Sequence, residues 1–448
     1  MNTLSLLRSG QLNGARRLDL SCELAEFPEE IYDLADTLEV LNLSGNFLSS
    51  LPQDFTRLHR LRILFCSENR FTTVPEVLGE CPHLNTIGFK ANKISRLPSA
   101  ALNPALRWLI LTDNALHTLP PELGDCTQLK KLMLSGNQLR QIPEQMAACS
   151  ELELLRIASN RLSALPDWLL NLPKLAWLAY ADNPFCNEGA TTTLQLQKTT
   201  FKNIPWDSLC VQQKLGQGAS GVIYQASHRQ KTNENIQSTQ LVAVKLFKNA
   251  VTSDGLPESE MAACMSAGSN PNLIGVVGHI NDHPDGCAGL VMQLIDPSYK
   301  NLADPPSLTS CTRDVYGSST QFPLKVALRI ATAIAGTMKH LHERGILHGD
   351  LYGHNILYDS QGKCLLGDFG AASFFATEAP VSALALQRLE VRAFACLLEE
   401  LLDRCPIELT EQDCVFRLRE LQVRCELSNN DQRPLFAEIE IILLALAA

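Results

Sequence analysis

The sequence predicts a multidomain chain: an α/β solenoid of short repeats over residues 1–200, then an α+β bilobal domain over 205–448 with a small lobe at 205–295 and a large lobe at 296–448. Three observations predict it. Asparagines at 46, 69, 92, 114, 137, 160 and 183 recur every 22 or 23 residues, the period of stacked units and not of one globular core. Gly216-x-Gly218-x-x-Gly221 precedes the strand-forming Val242-Ala243-Val244-Lys245. Further on, His348-Gly349-Asp350, Asn355 and then Asp368-Phe369-Gly370 gather two carboxylates and an amide in one short stretch.

Composition agrees with more than one core. With 448 residues, 45% of them hydrophobic and 19% charged, the chain is too long for one ordinary core and too apolar for disorder. A net charge of -10 implies no basic surface on the whole chain and argues against a nucleic-acid partner. Fifteen cysteines, an odd count without a Cys-x-x-Cys pair, suit reduced thiols better than a disulfide framework. His342-Glu343 followed by His348 has the wrong interval for two metal-binding histidines on one helical face, so no zinc is expected. The first residues lack a basic segment leading into a long apolar run, and no window is long enough to cross a bilayer. The eight apolar residues at 441–448 read as the buried end of a last helix, and the expected location is the cytoplasm.

Each of the seven recurring asparagines follows the pattern seen in Leu38-x-x-Leu41-x-Leu43-x-x-Asn46. Most units continue to a pair such as Leu51-Pro52, Val74-Pro75, Leu97-Pro98, Leu119-Pro120, Ile142-Pro143 or Leu165-Pro166. This resembles a leucine-rich repeat: a short strand turns its leucines inward, the proline closes the strand side, and stacking supplies a core that one unit lacks. The resemblance implies that the asparagine side chains satisfy backbone groups at the bend after each strand. Glu23 holds the asparagine position after Leu18 and Leu20, so the first repeat reads as a degenerate cap. Asn183-Pro184-Phe185-Cys186 breaks the pattern at the other end, and the polar residues 189–203 read as a linker. Alternate strand positions on the concave face run Ile63, Phe65, Trp108, Ile110, Lys131, Met133, Leu154, Arg156 and Trp177. Phe65, Trp108, Met133 and Trp177 are therefore expected to meet a protein substrate or regulator, the alternative being burial under long neighbours.

After Gly221, Val222-Ile223-Tyr224 continues as a strand, whereas a dinucleotide-binding turn would enter a helix that receives the pyrophosphate. The glycines thus read as a hairpin whose backbone N–H groups approach an anion. Residues 227–240 read as a polar link before a strand at 241–247 that presents Lys245. A lysine in an apolar strand is costly to bury without anionic partners. Glu260, in the helix-compatible stretch 257–267, is the first candidate for the carboxylate and Glu258 the competitor. Residues 290–295 read as a strand, 296–322 as an insertion rich in Pro, Ser and Thr, and 327–344 as a helix delivering the chain to His348.

In kind and in chain order these motifs resemble those of a protein kinase. The resemblance implies ATP and Mg2+ as cofactors. It places Gly216, Gly218, Gly221 and Ile223 over the nucleotide, Lys245 on its phosphates with Glu260 as partner, Met292 as gatekeeper, and Gln293 and Leu294 in the hinge. It makes Asp350 the acceptor of the substrate hydroxyl proton, acting with Lys245 and Asn355, and makes Asn355 and Asp368 the metal ligands, with His348 architectural. Residues 389–394, with Glu390 where an aspartate is usual, and Arg433-Pro434 resemble later parts of the large lobe.

Three departures accompany it. Gly349 replaces an arginine that would capture a phosphorylated activation segment. Tyr352 replaces the lysine of serine/threonine kinases, a charged contact worth about 1.5–3 kcal/mol, which leaves the choice between serine/threonine and tyrosine specificity open. Nine residues separate Gly370 from Pro380, and Glu378-Ala379-Pro380 does not reproduce the usual Ala-Pro-Glu. The whole resembles a leucine-rich-repeat protein kinase without a membrane helix. The preferred reading is a serine/threonine protein kinase; a small-molecule phosphotransferase and a non-catalytic scaffold are the alternatives.

Overall fold

The computed structural model describes residues 3–186, 202–218, 220–231, 237–248, 251–377, 380–406 and 408–447. Most of the linker expected at 189–203, Ala219 of the glycine stretch and residues 378–379 lie outside the described residues. Two compact units emerge, Met1–Leu175 with Asn183–Phe185, and Ala176–Asp182 with Cys186–Ala448.

In the first unit a short helix α1 (Thr3–Arg8) precedes three-residue strands β1 (Arg17–Asp19), β2 (Val40–Asn42), β3 (Ile63–Phe65), β4 (Thr86–Gly88), β5 (Trp108–Ile110), β6 (Lys131–Met133) and β7 (Leu154–Arg156). Each pairs in parallel with the next, in chain order. Their inward leucines, among them Leu41, Leu64, Leu132 and Leu155, are fully buried. Prolines 75, 98, 120, 143 and 166 sit in extended conformation immediately before short 3-10 segments, where a missing N–H leaves no ladder bond unmade.

The asparagines build a continuous ladder. Asn69 Oδ1 accepts from the Leu48 N–H, and its Nδ2 donates back to the Leu43 carbonyl of the preceding repeat. The same reach recurs at Asn92, Asn114, Asn137, Asn160 and Asn183. In each full repeat the residue before the asparagine adopts the left-handed conformation, and only Gly45 and Gly136 are glycine; Glu68, Ala91, Asp113, Ser159 and Asp182 carry side chains. The ladder holds these five in a conformation such residues otherwise avoid. In the capping repeat the left-handed residue is Glu23 itself, one position later.

The strand β8 (Trp177–Ala179) belongs to the second unit. There β9 (Leu209–Gln217), β10 (Gly221–Lys231), β11 (Gln237–Phe247), helix α2 (Pro257–Ala267), β12 (Val276–Ile280) and β13 (Gly289–Gln293) form the small lobe. Its antiparallel sheet has the order β12-β13-β11-β10-β9. Ile204, Val242, Val244, Ile280 and Val291 form its core. The polar link expected at 227–240 is instead mostly paired strand, with Lys231 opposite Gln237. Its paired residues are polar, buried His228 among them, a pattern that reads as loop when only apolar runs are sought.

The large lobe contains β14 (Lys300–Asn301), α3 (Leu324–His342), β15 (Ile346–Leu347), β16 (Ile356–Tyr358), β17 (Cys364–Leu366), β18 (Ser373–Phe374), α4 (Pro380–Leu402), α5 (Gln412–Cys425) and α6 (Phe436–Ala447). The insertion at 296–322 is anchored: the Arg313 guanidinium bonds Glu400 at 2.8 Å and Glu399 at 2.7 Å. The chain end is less buried than its hydropathy suggests. In α6 Leu443 is buried while Ile441 and Leu444 are exposed, because a helix packed on one side still turns its other side to water even where its residues are apolar.

Candidate active site

In β11 Val242 and Val244 enter the sheet core, so Lys245 takes the other face, opposite Ile223 of β10. There it forms an ion pair with Glu260 on α2. Glu258, the competing carboxylate, is exposed. Burial opposes the charge on Lys245, but Glu260 and then Asp368 more than offset it, and the ammonium stays protonated with a raised pKa.

A cleft is lined by Gly218, Gly221, Ile223, Lys245, Glu260, Met292 and Asp368. Gln293 and Leu294 line an adjoining hollow that shares Leu273, Ile274 and Val276 with the cleft, while Gly216 lines neither. The glycines differ in kind. A Cβ on Gly221 would meet the Leu246 carbonyl oxygen at 2.5 Å, so the hairpin itself requires glycine there. Around Gly216 and Gly218, chain neighbours apart, no atom of the described residues lies within 4 Å of that position, which leaves room for a ligand to approach the backbone.

Below the small lobe, β15 leads into the loop bearing Asp350. Asn355 Nδ2 donates to Asp350 Oδ2 at 2.8 Å and to its carbonyl oxygen at 2.9 Å, which fixes both residues and leaves the amide oxygen as an acceptor. His348 is fully buried; its Nε2 lies 2.9 Å from the Gly367 carbonyl and its Nδ1 accepts from the Asp350 N–H. Those partners fix the Nε2–H tautomer and give His348 the architectural place expected of it. Asp368 adopts a left-handed backbone with φ 56° and is exposed, while Phe369 beside it is buried and packs 5.1 Å from the His348 ring. Glu390 on α4 accepts from the Gly349 N–H at 2.6 Å and contacts His342 Nε2 at 2.7 Å.

Two features escaped the sequence. Asp314, in the insertion, accepts from the His354 N–H at 3.1 Å and lies 2.7 Å from its Nδ1, bracing the loop between Asp350 and Asn355. Nothing in a loop sequence signals such a partner. Trp177, expected on an open face, is 2% exposed and stacks on Tyr352 with ring centroids 4.4 Å apart. Phe65 and Trp108 remain partly exposed, and Met133 is 9% exposed. Phe65 also has a role within its own unit, since its ring covers β4 where a Cβ on Gly88 would meet Phe65 Cδ1 at 2.6 Å.

Lys245 and the Asp368 carboxylate line one cleft with Gly218, and Asn355 is tied next to Asp368 by its backbone carbonyl, which accepts from the Gly367 N–H at 3.0 Å: an ammonium with hard oxygens close by. This arrangement fits a phosphate chain with a divalent cation. Residues 209–396 match the family described as protein tyrosine and serine/threonine kinase. Residues 104–162, 127–185 and 37–58 match leucine-rich-repeat families. The second unit is thus a protein-kinase domain, of a class that uses ATP and a divalent metal. The chain as a whole joins leucine-rich repeats to that kinase domain.

Its relatives divide in the same way. A leucine-rich repeat and calponin homology domain-containing protein of Mus musculus is 32% identical over 127 residues, 28% of this chain and 17% of the relative. A probable serine/threonine-protein kinase of Arabidopsis thaliana is 25% identical over 171 residues, 38% of this chain and 21% of the relative. Serine/threonine-protein kinase mos of Xenopus laevis is 24% identical over 174 residues, 38% of this chain and 43% of the relative. The chain therefore spans less than half the length of each. Among the described residues no helix is long and apolar enough to cross a membrane.

Proposed function

We propose that the protein is a Mg2+-dependent kinase that phosphorylates serine or threonine hydroxyls of proteins, with its repeats receiving a protein substrate or regulator. The observation that carries this reading is the Asn355 amide bound to the Asp350 carboxylate, in a lobe whose Asp368 shares a cleft with the Lys245–Glu260 pair. When bound, ATP supplies the phosphoryl group and Mg2+ neutralises its developing charge. Asp350 accepts the proton of the attacking hydroxyl, Asn355 and Asp368 offer oxygens to the metal, and Lys245 steadies the phosphates. Gly218, Gly221 and Ile223 would hold the phosphate end of the nucleotide, and Met292, Gln293 and Leu294 its base. The names of the kinase relatives support serine/threonine specificity. Phe65 and Trp108 form the partner surface; Met133, expected there too, is buried.

Phosphate incorporation from labelled ATP tests the proposal. Asp368→Ala is expected to abolish Mg2+-dependent incorporation with the melting temperature unchanged, because an exposed aspartate contributes coordination and little packing. Unchanged incorporation would overturn the site.

A further inference from the structure

Residues 177–182, within the second unit, touch three parts of the catalytic domain in turn. The Trp177 indole lies parallel to the Tyr352 ring, with an interplanar angle of 7°, and its Nε1–H donates to the Leu351 carbonyl at 3.0 Å. The Tyr180 N–H donates to Ser373 Oγ at 3.0 Å, and the Tyr180 hydroxyl donates to the Phe374 carbonyl at 3.1 Å. The Ser259 hydroxyl, on α2 next to Glu260, donates to Asp182. One short segment thus holds the loop carrying Asp350, the segment that follows Asp368, and the helix carrying the partner of Lys245.

The departures at Gly349 and Tyr352 form its seat. Gly349 has φ 74°, and a Cβ there would meet the Leu178 carbonyl oxygen at 2.8 Å and the Ala371 carbonyl oxygen at 2.4 Å. An arginine at this position is excluded by the passing strand itself. Tyr352 supplies the flat apolar partner that a lysine would not. With the segment seated, the machinery is assembled: Lys245 meets Glu260, Phe369 is buried, and β15 pairs with β18 at Ile346–Phe374 and Leu347–Ser373. Ser373 is fully buried, its hydroxyl engaged by Tyr180, so a phosphate there would break this arrangement and not build it.

We infer that Trp177, Tyr180 and Asp182 are positioning residues for phosphoryl transfer: they hold the catalytic loop, the segment after Asp368 and α2 in register, doing by packing what a phosphorylated activation segment does through an arginine. The inference rests on the kinase reading above, and the test separates the two.

The full-length protein, Trp177→Ala, Trp177→Phe and Tyr180→Phe are compared in steady-state phosphoryl transfer and in hydrogen exchange over residues 346–377. Tyr180→Phe, which deletes one hydroxyl, is expected to lower kcat about tenfold, the equivalent of one lost hydrogen bond, with KM for ATP within about twofold. Trp177→Ala is expected to lose more, and Trp177→Phe, which keeps the stacked ring, to recover most of the loss. Exchange at 371–377 should rise in Tyr180→Phe. Unchanged kcat in a folded Tyr180→Phe overturns the inference, and a higher kcat overturns it in favour of a blocking segment. Should Trp177→Ala fail to fold, the two conservative variants decide. If the unaltered protein incorporates no phosphate, the kinase reading falls and takes the positioning role with it, an outcome distinct from an active protein whose kcat Tyr180→Phe leaves unchanged, which overturns the inference alone.

Discussion

Trp108 and Trp177 occupy the same position in the repeat pattern, 69 residues apart, and meet different surroundings. Trp108 is partly exposed, with the Lys131 ammonium 4.3 Å above its ring and an indole N–H that finds no hydrogen-bond partner among the described residues. Trp177 has its N–H bonded to Leu351 and its ring stacked on Tyr352. A large aromatic on a repeat strand is therefore not one signal. At one position the ring is half-open while its N–H is buried without a partner among the described residues, and at the other both ring and N–H are engaged. The deciding information lies more than 170 residues away, at Tyr352.

The largest effect that sharpens this contrast belongs to Trp177. Trp177→Ala removes a fully buried ring and leaves the Leu351 carbonyl short of a donor, so denaturant unfolding should show a loss of about 3–5 kcal/mol. A loss below about 1 kcal/mol would make the two tryptophans equivalent and break the comparison. Asn160→Ala should come next, at about 1–3 kcal/mol, since Asn160, next to left-handed Ser159, serves the Leu134 and Ile157 carbonyls and the Leu139 N–H in a buried place. If that variant melts like the parent, the ladder is not what holds the left-handed residues. Trp108→Ala should cost the least in stability, under about 1 kcal/mol, yet about 1–2 kcal/mol in association with a protein partner. Titration calorimetry against a captured partner checks the second figure, and a variant with unaltered affinity removes Trp108 from the surface.

What the sequence showed and what it hid follow the range of the forces involved. The repeat period and the need for a carboxylate beside Lys245 were legible because periodicity and the cost of burying a charge act through residue type alone, while the asparagines' bonds were an implication of the resemblance to leucine-rich repeats. The left-handed residues were not, since five of the seven carry side chains and are held by a neighbour's hydrogen bonds and not by glycine. The paired strands at 227–231 and 237–240 read as loop because their residues are polar, even where one of them, His228, is buried. Asp314 and Trp177 were invisible as braces of the catalytic loop, since their partners, His354 and Tyr352, are distant in sequence and of a type that fixes no partner.

The ladder also sets how the repeats respond to mechanical load. Each asparagine ties its own bend to the strand before it, so the elementary step under tension is one repeat and not one hydrogen bond. Pulled end to end, the array would pay out in increments of 22 or 23 residues, each adding about 75 Å of contour length.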